Sequence, residues 1–358
     1  MIEDWSNLLL SRGPSQSLNS GYRIDTKESN KMNSKLPKRI LVDYATACNL
    51  RCPMCTVWGS GDDGKISEVE GVMDVAKSEE VLTQFLPDDI PLMQPNMYGE
   101  PLLVPDLIDR LSWLKTNGFP VALNTNGLTL TQEIAEKFVE LEIDSVMVSI
   151  DAVSAETLKK IRGVRAIARI EAAVHRLLAA RGDRSLPRIG VSFTIQEENE
   201  HETDEFVKRW KGVVDVVRTG LVFENGTFPG MVVPEVRKPC PSLYDTMPIH
   251  NDGTVTICCL DGFKETAVGN VFQSGVEAIW NGDAFNKIRE HHEKGDFDKV
   301  PFCKDCNGWA QFEMEEHIDG DILVRRSPQY TYYNLLSRMN NWAQQARGSH
   351  QVGYDQEP

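Results

Sequence analysis

The chain has 358 residues, of which 41% are hydrophobic and 25% are charged, and its formal net charge is −15. This composition is typical of a soluble globular protein, and the length predicts one large domain with a smaller one. The acidic balance argues against a nucleic-acid partner or an anionic membrane surface, because both attract clustered Lys and Arg. No apolar stretch is long enough for a membrane helix and the N-terminus lacks a secretion signal, so we expect a cytoplasmic protein.

Residues 1–37 are polar and aperiodic, and we interpret them as an N-terminal extension with one short helix near Trp5–Leu10. From residue 38 to about residue 220, strand-like and helix-like patterns alternate. The predicted strands are Arg39–Ala45, Leu92–Tyr98, Val121–Asn124, Ser145–Ile150, Arg188–Ile195 and Val213–Arg218. The predicted helices are Ser78–Phe85, Val104–Thr116, Gln132–Leu141, Ala155–Ile161, Ala166–Ala180 and His201–Trp210, with Thr131 and Ser154 as two N-caps. This repetition predicts an α/β fold with a parallel sheet and right-handed crossovers.

Three cysteines follow the first predicted strand with the spacing C-x3-C-x2-C: Cys48, Cys52 and Cys55. Thiolates are the usual ligands of iron–sulfur clusters. Three of them on one loop can hold three irons of a cubane and leave the fourth iron open to a substrate or cofactor. The alternative is a zinc knuckle, but a closed zinc site needs four ligands and the nearby sequence offers no fourth Cys or His.

This spacing directly after a first strand resembles the radical S-adenosylmethionine (SAM) superfamily. The resemblance implies a partial (β/α)6 TIM-like barrel with its chemistry at the C-terminal ends of the strands. It also implies a [4Fe–4S] cluster whose open iron chelates the amino and carboxylate groups of SAM. One electron then splits SAM into methionine and a 5′-deoxyadenosyl radical, which abstracts a hydrogen atom from the substrate.

The resemblance also implies residues that contact SAM. Tyr98-Gly99-Glu100-Pro101 resembles the family's Gly-Gly-Glu-Pro segment at the SAM ammonium, with Tyr98 in place of the first glycine. Asn124-Thr125-Asn126-Gly127 resembles a turn beside the SAM or substrate cavity, and Lys160-Ile161-Arg162-Gly163 resembles a segment near the SAM carboxylate. The implied SAM contacts are Met54, Gly99, Glu100, Asn124, Ser149, Asp151 and Arg162. Of these, Ser149 and Asp151 are implied at the ribose. From the residues alone, these positions are equally typical of turns, caps and a helix C-terminal cation.

The sixth predicted strand ends in Val216-Val217-Arg218-Thr219-Gly220, which places Arg218 at the mouth of the barrel. There Arg218 can orient an anionic or polyhydroxylated substrate or assist its deprotonation. The alternative is an arginine that forms a salt bridge at the end of the strand.

A second group of cysteines follows a connector at residues 221–239. Asp252-Gly253 predicts a hairpin whose second arm leads into Cys258 and Cys259. The spacing of Cys240, Cys258, Cys303 and Cys306 resembles the SPASM and twitch auxiliary-cluster domains of radical SAM enzymes and implies one auxiliary [4Fe–4S] cluster. A zinc site with four Cys ligands is the alternative. Cys259 is an alternative ligand, a buried apolar residue or a hydrogen-atom donor to a substrate radical.

These assignments divide the chain into five parts: an extension (1–37), the barrel (38–220), the connector (221–239), the auxiliary domain (240–310), and a C-terminal helix and tail (311–358). The layout is similar to twitch-type aminocyclitol dehydrogenases, such as the 2-deoxy-scyllo-inosamine dehydrogenases. We therefore expect an oxidoreductase that dehydrogenates a polar small molecule such as an aminocyclitol or sugar, with Arg218 and Cys259 as catalytic candidates and a flavodoxin- or ferredoxin-type reductant. The alternatives are a peptide or protein maturase, including an epimerase, and a non-enzymatic iron–sulfur protein.

Overall fold

The computed structural model describes residues 35–87, 89–312 and 314–339. Its strands are β1 (Arg39–Val42), β2 (Ala45–Thr46), β3 (Gly71–Val72), β4 (Leu92–Gln94), β5 (Ala122–Thr125), β6 (Ser145–Ser149), β7 (Arg188–Ile195), β8 (Val216–Leu221), β9 (Thr246–Ile249), β10 (Thr254–Thr256), β11 (Ala267–Asn270), β12 (Glu315–Asp319), β13 (Ile322–Arg326) and β14 (Tyr330–Leu335). Its α-helices are α1 (Asp63–Val69), α2 (Val75–Thr83), α3 (Leu107–Thr116), α4 (Gln132–Glu140), α5 (Ala155–Arg162), α6 (Ile167–Arg181), α7 (Thr203–Trp210), α8 (Ser242–Asp245), α9 (Val271–Ser274), α10 (Val276–Trp280) and α11 (Asp283–Lys294). Short 3-10 helices cover Pro101–Leu103, Glu200–Glu202, Phe297–Lys299, Pro301–Cys303, Gly308–Phe312 and Leu336–Arg338.

Six of these strands form a curved parallel sheet in the order β1-β4-β5-β6-β7-β8. Parallel ladders join β1 to β4 and β5 through β8, and a parallel bridge between Met93 and Val121 links β4 to β5. The helices α2 to α7 connect consecutive strands, as right-handed crossovers require. The predicted partial (β/α)6 barrel is therefore confirmed, with each predicted strand and helix present within a few residues.

The amphipathic helices bury one apolar face each against this sheet. Leu111 and Leu114 of α3 and Phe138 of α4 are completely buried. Both predicted N-caps are confirmed: the Thr131 hydroxyl accepts the Ile134 amide at 3.2 Å, and the Ser154 hydroxyl accepts the Thr157 amide at 3.1 Å. Capping of this kind fixes where the helix begins, and so fixes the length of the loop that leaves the preceding strand.

The C-terminal third of the chain extends both edges of the barrel. Strand β9 pairs in parallel with β1, and β10 and β11 continue that sheet in antiparallel fashion. The predicted hairpin is confirmed at this edge, where Gly253 has φ +83°. At the other edge β14 pairs antiparallel with β8, followed by β13 and β12. Pairing in this way covers the outer edges of the barrel strands β1 and β8.

The predicted C-terminal helix is wrong for residues 315–335, which form the antiparallel strands β12, β13 and β14. The physical reason is a hairpin turn: Gly320 has φ +63°, and Asp319 pairs with Ile322 across it. Residues 322–325 are all buried, so both faces of β13 are covered, and three of these residues, Ile322, Leu323 and Val324, are apolar. The predicted tail from residue 340 and the predicted helix near Trp5–Leu10 lie outside the described residues, and the remaining domain boundaries stay predictions.

Across the described residues, no helix has both the length and the apolar character that crossing a bilayer requires.

Candidate active site

The loop after β2 brings together the first three cysteines at the C-terminal end of β1. Burial raises the pKa of the Cys48 thiol to about 11, and the charges of Cys52 and Cys55 add to that effect. Backbone amides point at two of the sulfurs: Leu50 N–H lies 3.4 Å from Cys48 Sγ, and Trp58 N–H lies 3.4 Å from Cys55 Sγ. Sulfurs that accept amide hydrogens are typical of cluster ligands. Because burial raises the pKa values of Cys48 and Cys52, these two thiols would release protons on binding a metal.

Gly59 allows this cysteine loop to fold back on itself. Its amide donates to the Cys55 carbonyl at 2.9 Å. A Cβ atom at this position would lie 2.4 Å from the carbonyl oxygens of both Cys52 and Pro53, so no other residue fits without displacing the loop. The sequence interpretation missed Gly59, since nothing in the C-x3-C-x2-C spacing requires a glycine four residues beyond the motif.

Gly99 follows β4 and lies against the same loop. A Cβ atom at Gly99 would be 1.7 Å from the Ala45 carbonyl oxygen, so this predicted position requires glycine. The buried carboxylate of Asp43 holds the approach by accepting the Gly99 amide at 3.1 Å and the Thr46 hydroxyl at 2.6 Å. Burial raises the pKa of Asp43, and these hydrogen bonds partly offset that rise. Sequence reasoning missed Asp43 because it lies inside an apolar strand pattern.

Glu100 is buried and joins the end of β4 to the end of β5. Its carboxylate accepts the Asn126 amide at 2.8 Å and also the Thr125 hydroxyl. Burial raises the pKa of Glu100, while these hydrogen bonds and the Arg162 charge lower it. The carboxylate therefore orders the turn after β5; its predicted contact with an ammonium group stays a prediction.

Asn124 and Ser149 are half-buried at the ends of adjacent strands. The Asn124 amide donates to Asn96 Oδ1 at 3.2 Å. The Ser149 hydroxyl accepts from the Ser192 hydroxyl at 3.2 Å. Both residues lie at the C-terminal ends of their strands, and Met54 is half-buried within the cysteine loop. Their predicted contacts with SAM stay predictions.

Asp151 and Arg162 form a buried ion pair, with Arg162 Nε 2.9 Å from Asp151 Oδ2. The other carboxylate oxygen of Asp151 accepts the Thr194 amide at 2.7 Å. Asp151 has φ +63° and a fully buried side chain, and both of its carboxylate oxygens are bonded to other residues of the protein. We therefore reinterpret Asp151 as a residue that positions Arg162, while its predicted contact with a ribose stays a prediction. Arg162 is close enough to Cys52 to lower the pKa of that thiol, against a larger rise from burial.

The second cysteine group, Cys240, Cys258, Cys303 and Cys306, has the same kind of backbone contacts as the first. Amide hydrogens again point at sulfurs: Leu260 N–H lies 3.4 Å from Cys258 Sγ, and Gly308 N–H lies 3.3 Å from Cys306 Sγ. Burial raises the pKa of the Cys240 and Cys303 thiols to about 12 in each case. Within the described residues, no three Cys, His, Asp or Glu side chains converge closely enough to hold a single metal ion.

Arg218 and Cys259 lie on one cavity of about 230 Å³ between β7, β8 and the auxiliary cysteines. The guanidinium of Arg218 is 5.7 Å from the centre of the Tyr330 ring. Tyr98 donates its hydroxyl to the Cys259 carbonyl at 2.6 Å, and Trp58 donates its indole N–H to the Tyr98 carbonyl at 2.7 Å. Tyr98, the residue that departs from the family's glycine, thus links the two cysteine loops.

Comparison with known families decides the assignment. The model of the radical SAM superfamily matches residues 42–209, and the SPASM model, an iron–sulfur cluster-binding domain, matches residues 240–307. The chain combines a radical SAM domain with a SPASM domain.

The curated relatives match part of this chain. A probable GTP 3′,8-cyclase of Saccharolobus islandicus (strain Y.N.15.51 / Yellowstone #2) is 32% identical over 162 residues, which are 45% of this chain and 49% of that protein. A protein of Pyrococcus furiosus that modifies the cofactor of a tungsten-containing aldehyde ferredoxin oxidoreductase is 26% identical over 192 residues, 48% of this chain and 47% of that protein. The chain thus spans about half the length of the curated relatives it matches.

Solved structures with this fold cover more of the chain. BtrN in complex with AdoMet and 2-DOIA has a TM-score of 0.53 at 19% identity, covering 77% of this chain and 94% of BtrN. Histidine-tagged anSMEcpe with bound AdoMet has a TM-score of 0.56 at 13% identity, covering 87% of this chain and 93% of that one. Streptococcus suis SuiB bound to its precursor peptide SuiA has a TM-score of 0.52 at 15% identity, covering 74% and 69%. At these identities the likeness is one of fold.

The residues of both domains fit the cofactors that a radical SAM domain and a SPASM domain imply, namely SAM, a SAM-binding [4Fe–4S] cluster and an auxiliary cluster. Each cysteine group has two sulfurs that accept backbone amides. We expect Cys48, Cys52 and Cys55 to hold the first cluster, and Cys240, Cys258, Cys303 and Cys306 to hold the second. The assignment of each ligand stays a prediction.

Proposed function

We propose that this chain is a radical SAM oxidoreductase that removes two hydrogens from a polar small molecule. The observation that carries the proposal is the position of the 230 Å³ cavity, which lies at the barrel mouth and is also lined by Cys240, Cys258 and Cys306. When bound, the SAM-binding cluster and SAM supply a 5′-deoxyadenosyl radical after receiving one electron. A substrate in this cavity would be next to residues of both domains.

Different residues of the chain would serve different steps of such an oxidation. Arg218 would orient the substrate, because it lines the cavity, although it lies within β8 and not at the end of the strand as predicted. After loss of a hydrogen atom to the radical, the substrate must lose one electron and one proton to become the oxidised product. The auxiliary cysteines would hold the electron acceptor, and Cys259, on the same cavity wall, is the candidate group for the proton. A flavodoxin or ferredoxin would supply the initiating electron.

A second candidate function is the maturation of a peptide or protein, including epimerisation. It is favoured by the Cys259 thiol on the cavity wall, since epimerisation needs a hydrogen-atom donor on the face opposite the abstracted hydrogen. SuiB bound to its precursor peptide and anSMEcpe with the Cp18Cys peptide have this fold, so the fold accommodates peptides. BtrN with 2-DOIA shows that it also accommodates a small molecule.

Product analysis in deuterated water separates the two functions. The anaerobically reconstituted full chain is incubated with SAM, dithionite and candidate small molecules or peptides, and products are analysed by mass spectrometry. Oxidation gives a product lighter by two hydrogen atoms, with one 5′-deoxyadenosine formed per product. Epimerisation gives a product in which one deuterium has replaced one hydrogen. The Cys259→Ser variant would not form that product. A product that carries solvent deuterium and no loss of hydrogen would overturn the oxidoreductase proposal.

A further inference from the structure

The cavity is small, and a few polar side chains stand in a mostly apolar lining. Its volume of about 230 Å³ is below the roughly 300–1,000 Å³ of typical small-molecule sites, and an auxiliary cluster held by Cys240, Cys258 and Cys306 would fill part of it, so it suits a compact occupant. The polar side chains of the lining carry hydroxyl groups, amide groups and one guanidinium, and they include Ser192, Thr194, Arg218, Gln311 and Gln329. None of the cavity's lining residues is Asp or Glu.

Gln329 provides the most specific sign of a ligand. It lies in the turn between β13 and β14, its side chain lines the cavity, and the residue is only 5% exposed. Its side chain is hydrogen-bonded to Tyr330, but its Oε1 atom has no hydrogen-bond partner among the described residues. A buried acceptor without a donor is unfavourable, so this oxygen favours a ligand that offers a hydroxyl or an N–H group. The two family matches end at residues 209 and 307, before this turn, so neither family model covers Gln329.

Arg218 adds a charge requirement to the same cavity. The guanidinium forms no ion pair with any carboxylate in the part of the chain that the structure describes, and its half-buried side chain is directed at the cavity. Arginine binds carboxylates and phosphates through two parallel hydrogen bonds, and such bonds are stronger than neutral ones. The ammonium groups of an amine-rich substrate would instead be repelled by the Arg218 cation, because no lining carboxylate would offset the repulsion.

We infer that this cavity binds a small hydroxylated substrate that carries an oxyanion, either a carboxylate or a phosphate. Arg218 binds the oxyanion, and Gln329 Oε1 accepts a hydrogen bond from a neighbouring hydroxyl. The inference rests on the proposed function in that this ligand is the molecule to be oxidised. It narrows the substrate class to acidic sugars or hydroxy acids and makes the C-terminal strands part of the substrate site.

Isothermal titration of the reconstituted full chain in the presence of SAM tests the site without requiring turnover. The probes are four compact ring compounds: D-glucuronate, glucose 6-phosphate, neutral myo-inositol and the diamine 2-deoxystreptamine. We expect at least one anionic probe to bind about tenfold or more tightly than the neutral one, a difference of about 1.4 kcal/mol, with the diamine weakest. The carboxylate and phosphate probes distinguish the two oxyanions.

Variants assign the binding to the two residues. Arg218→Gln should remove the preference for anions. Gln329→Leu should weaken the binding of all hydroxylated probes about five- to tenfold, while the preference for anions remains. Arg326→Gln, which removes an exposed arginine on β13, is the matched control and should bind like the wild type. Arg218→Lys keeps the charge and should retain a weaker preference for anions, which covers the case that Arg218→Gln does not fold.

Three results would overturn the oxyanion site: no anionic probe binds, the diamine binds as tightly as the anions, or Arg218→Gln loses iron. The last result would mean that Arg218 balances the charge of the auxiliary cluster. If the anions bind but no substrate is oxidised, the proposed function fails and the site stands. If oxidation is found without any preference for anions, only the site is wrong.

Discussion

Cys258 and Cys259 are neighbours in the chain, but they have different surroundings. The amide two residues after Cys258 points at its sulfur, an arrangement repeated at Cys48 and at Cys306. Cys259 is instead held through its backbone carbonyl, which accepts the Tyr98 hydroxyl. The repeated amide-to-sulfur contact therefore identifies Cys258 as the better candidate for the auxiliary ligand, and leaves the Cys259 thiol for the cavity.

The iron content of two variants tests this distinction. The wild type should contain about eight irons per chain, corresponding to two [4Fe–4S] clusters. Cys258→Ser should lower the content to about four, whereas the matched Cys259→Ser variant should keep about eight. Equal iron loss in both variants, or loss in Cys259→Ser alone, would show that the ligand is wrongly assigned.

His250 makes the stability of the auxiliary region dependent on pH. It is almost completely buried beside Thr256, and burial lowers the pKa of its imidazole to about 4, with the Lys264 charge as a smaller cause. The unfolded chain binds a proton at His250 below about pH 6.5, while the native state does not until about pH 4. Stability is therefore full above pH 6.5 and declines as the pH falls towards 4, by at most about 3 kcal/mol.

Thermal unfolding of the holoprotein at pH 7.5 and pH 5.0 measures this effect. The decrease in Tm between the two pH values should be smaller in His250→Gln than in the wild type. His201→Gln, at a side chain that is 65% exposed, is the control and should retain the full decrease. An unchanged decrease in His250→Gln would contradict the assignment.

At the scale of elements, the three C-terminal strands differ in how they are paired. Strand β14 lies between β13 and β8, whereas β12 pairs only with β13 and all five of its residues are exposed. Hydrogen–deuterium exchange should therefore be slow at the amides of β14 that face its partners and fast in β12. Uniform protection across residues 315–335 would instead indicate the helix that the sequence suggested.

The barrel elements were predictable because each carries its own periodicity, and the C-terminal strands show where that approach ends. Residues 330–335 contain three tyrosines without clear alternation, and the exposed strand β12 has no apolar face. The useful signal was Asp319-Gly320, a hairpin dipeptide between Ile318 and Ile322. Pairing of β14 with β8, more than one hundred residues earlier, is a long-range contact that local patterns do not encode.

Some residues of the candidate site were likewise predictable from the sequence, and others were not. Motif spacing predicted the cysteines and Gly99, because each has a fixed place relative to a strand. Asp43, Gly59 and Gln329 were missed because their roles depend on which loop folds against them: Asp43 meets Gly99, Gly59 meets Cys52, and Gln329 meets the cavity. Such contacts are visible only in three dimensions.

At the scale of the whole molecule, the auxiliary region is built onto the barrel. It adds β9 to the first barrel strand, and the loop after Cys259 packs on the first cysteine loop, where a Cβ atom at Gly262 would lie 2.4 Å from Val57. The chain of hydrogen bonds from Trp58 through Tyr98 to Cys259 joins the same two loops. The loops that carry the two cysteine groups are thus joined directly by packing and by hydrogen bonds.

The central claim is that the loop carrying Cys48, Cys52 and Cys55 supports reductive cleavage of SAM. The most direct measurement is the amount of 5′-deoxyadenosine formed by the anaerobically reconstituted full chain with SAM and dithionite. We predict formation well above background in the wild type and none in the Cys52→Ala variant. Formation at background in an iron-loaded wild type, or equal formation in Cys52→Ala, would contradict the account.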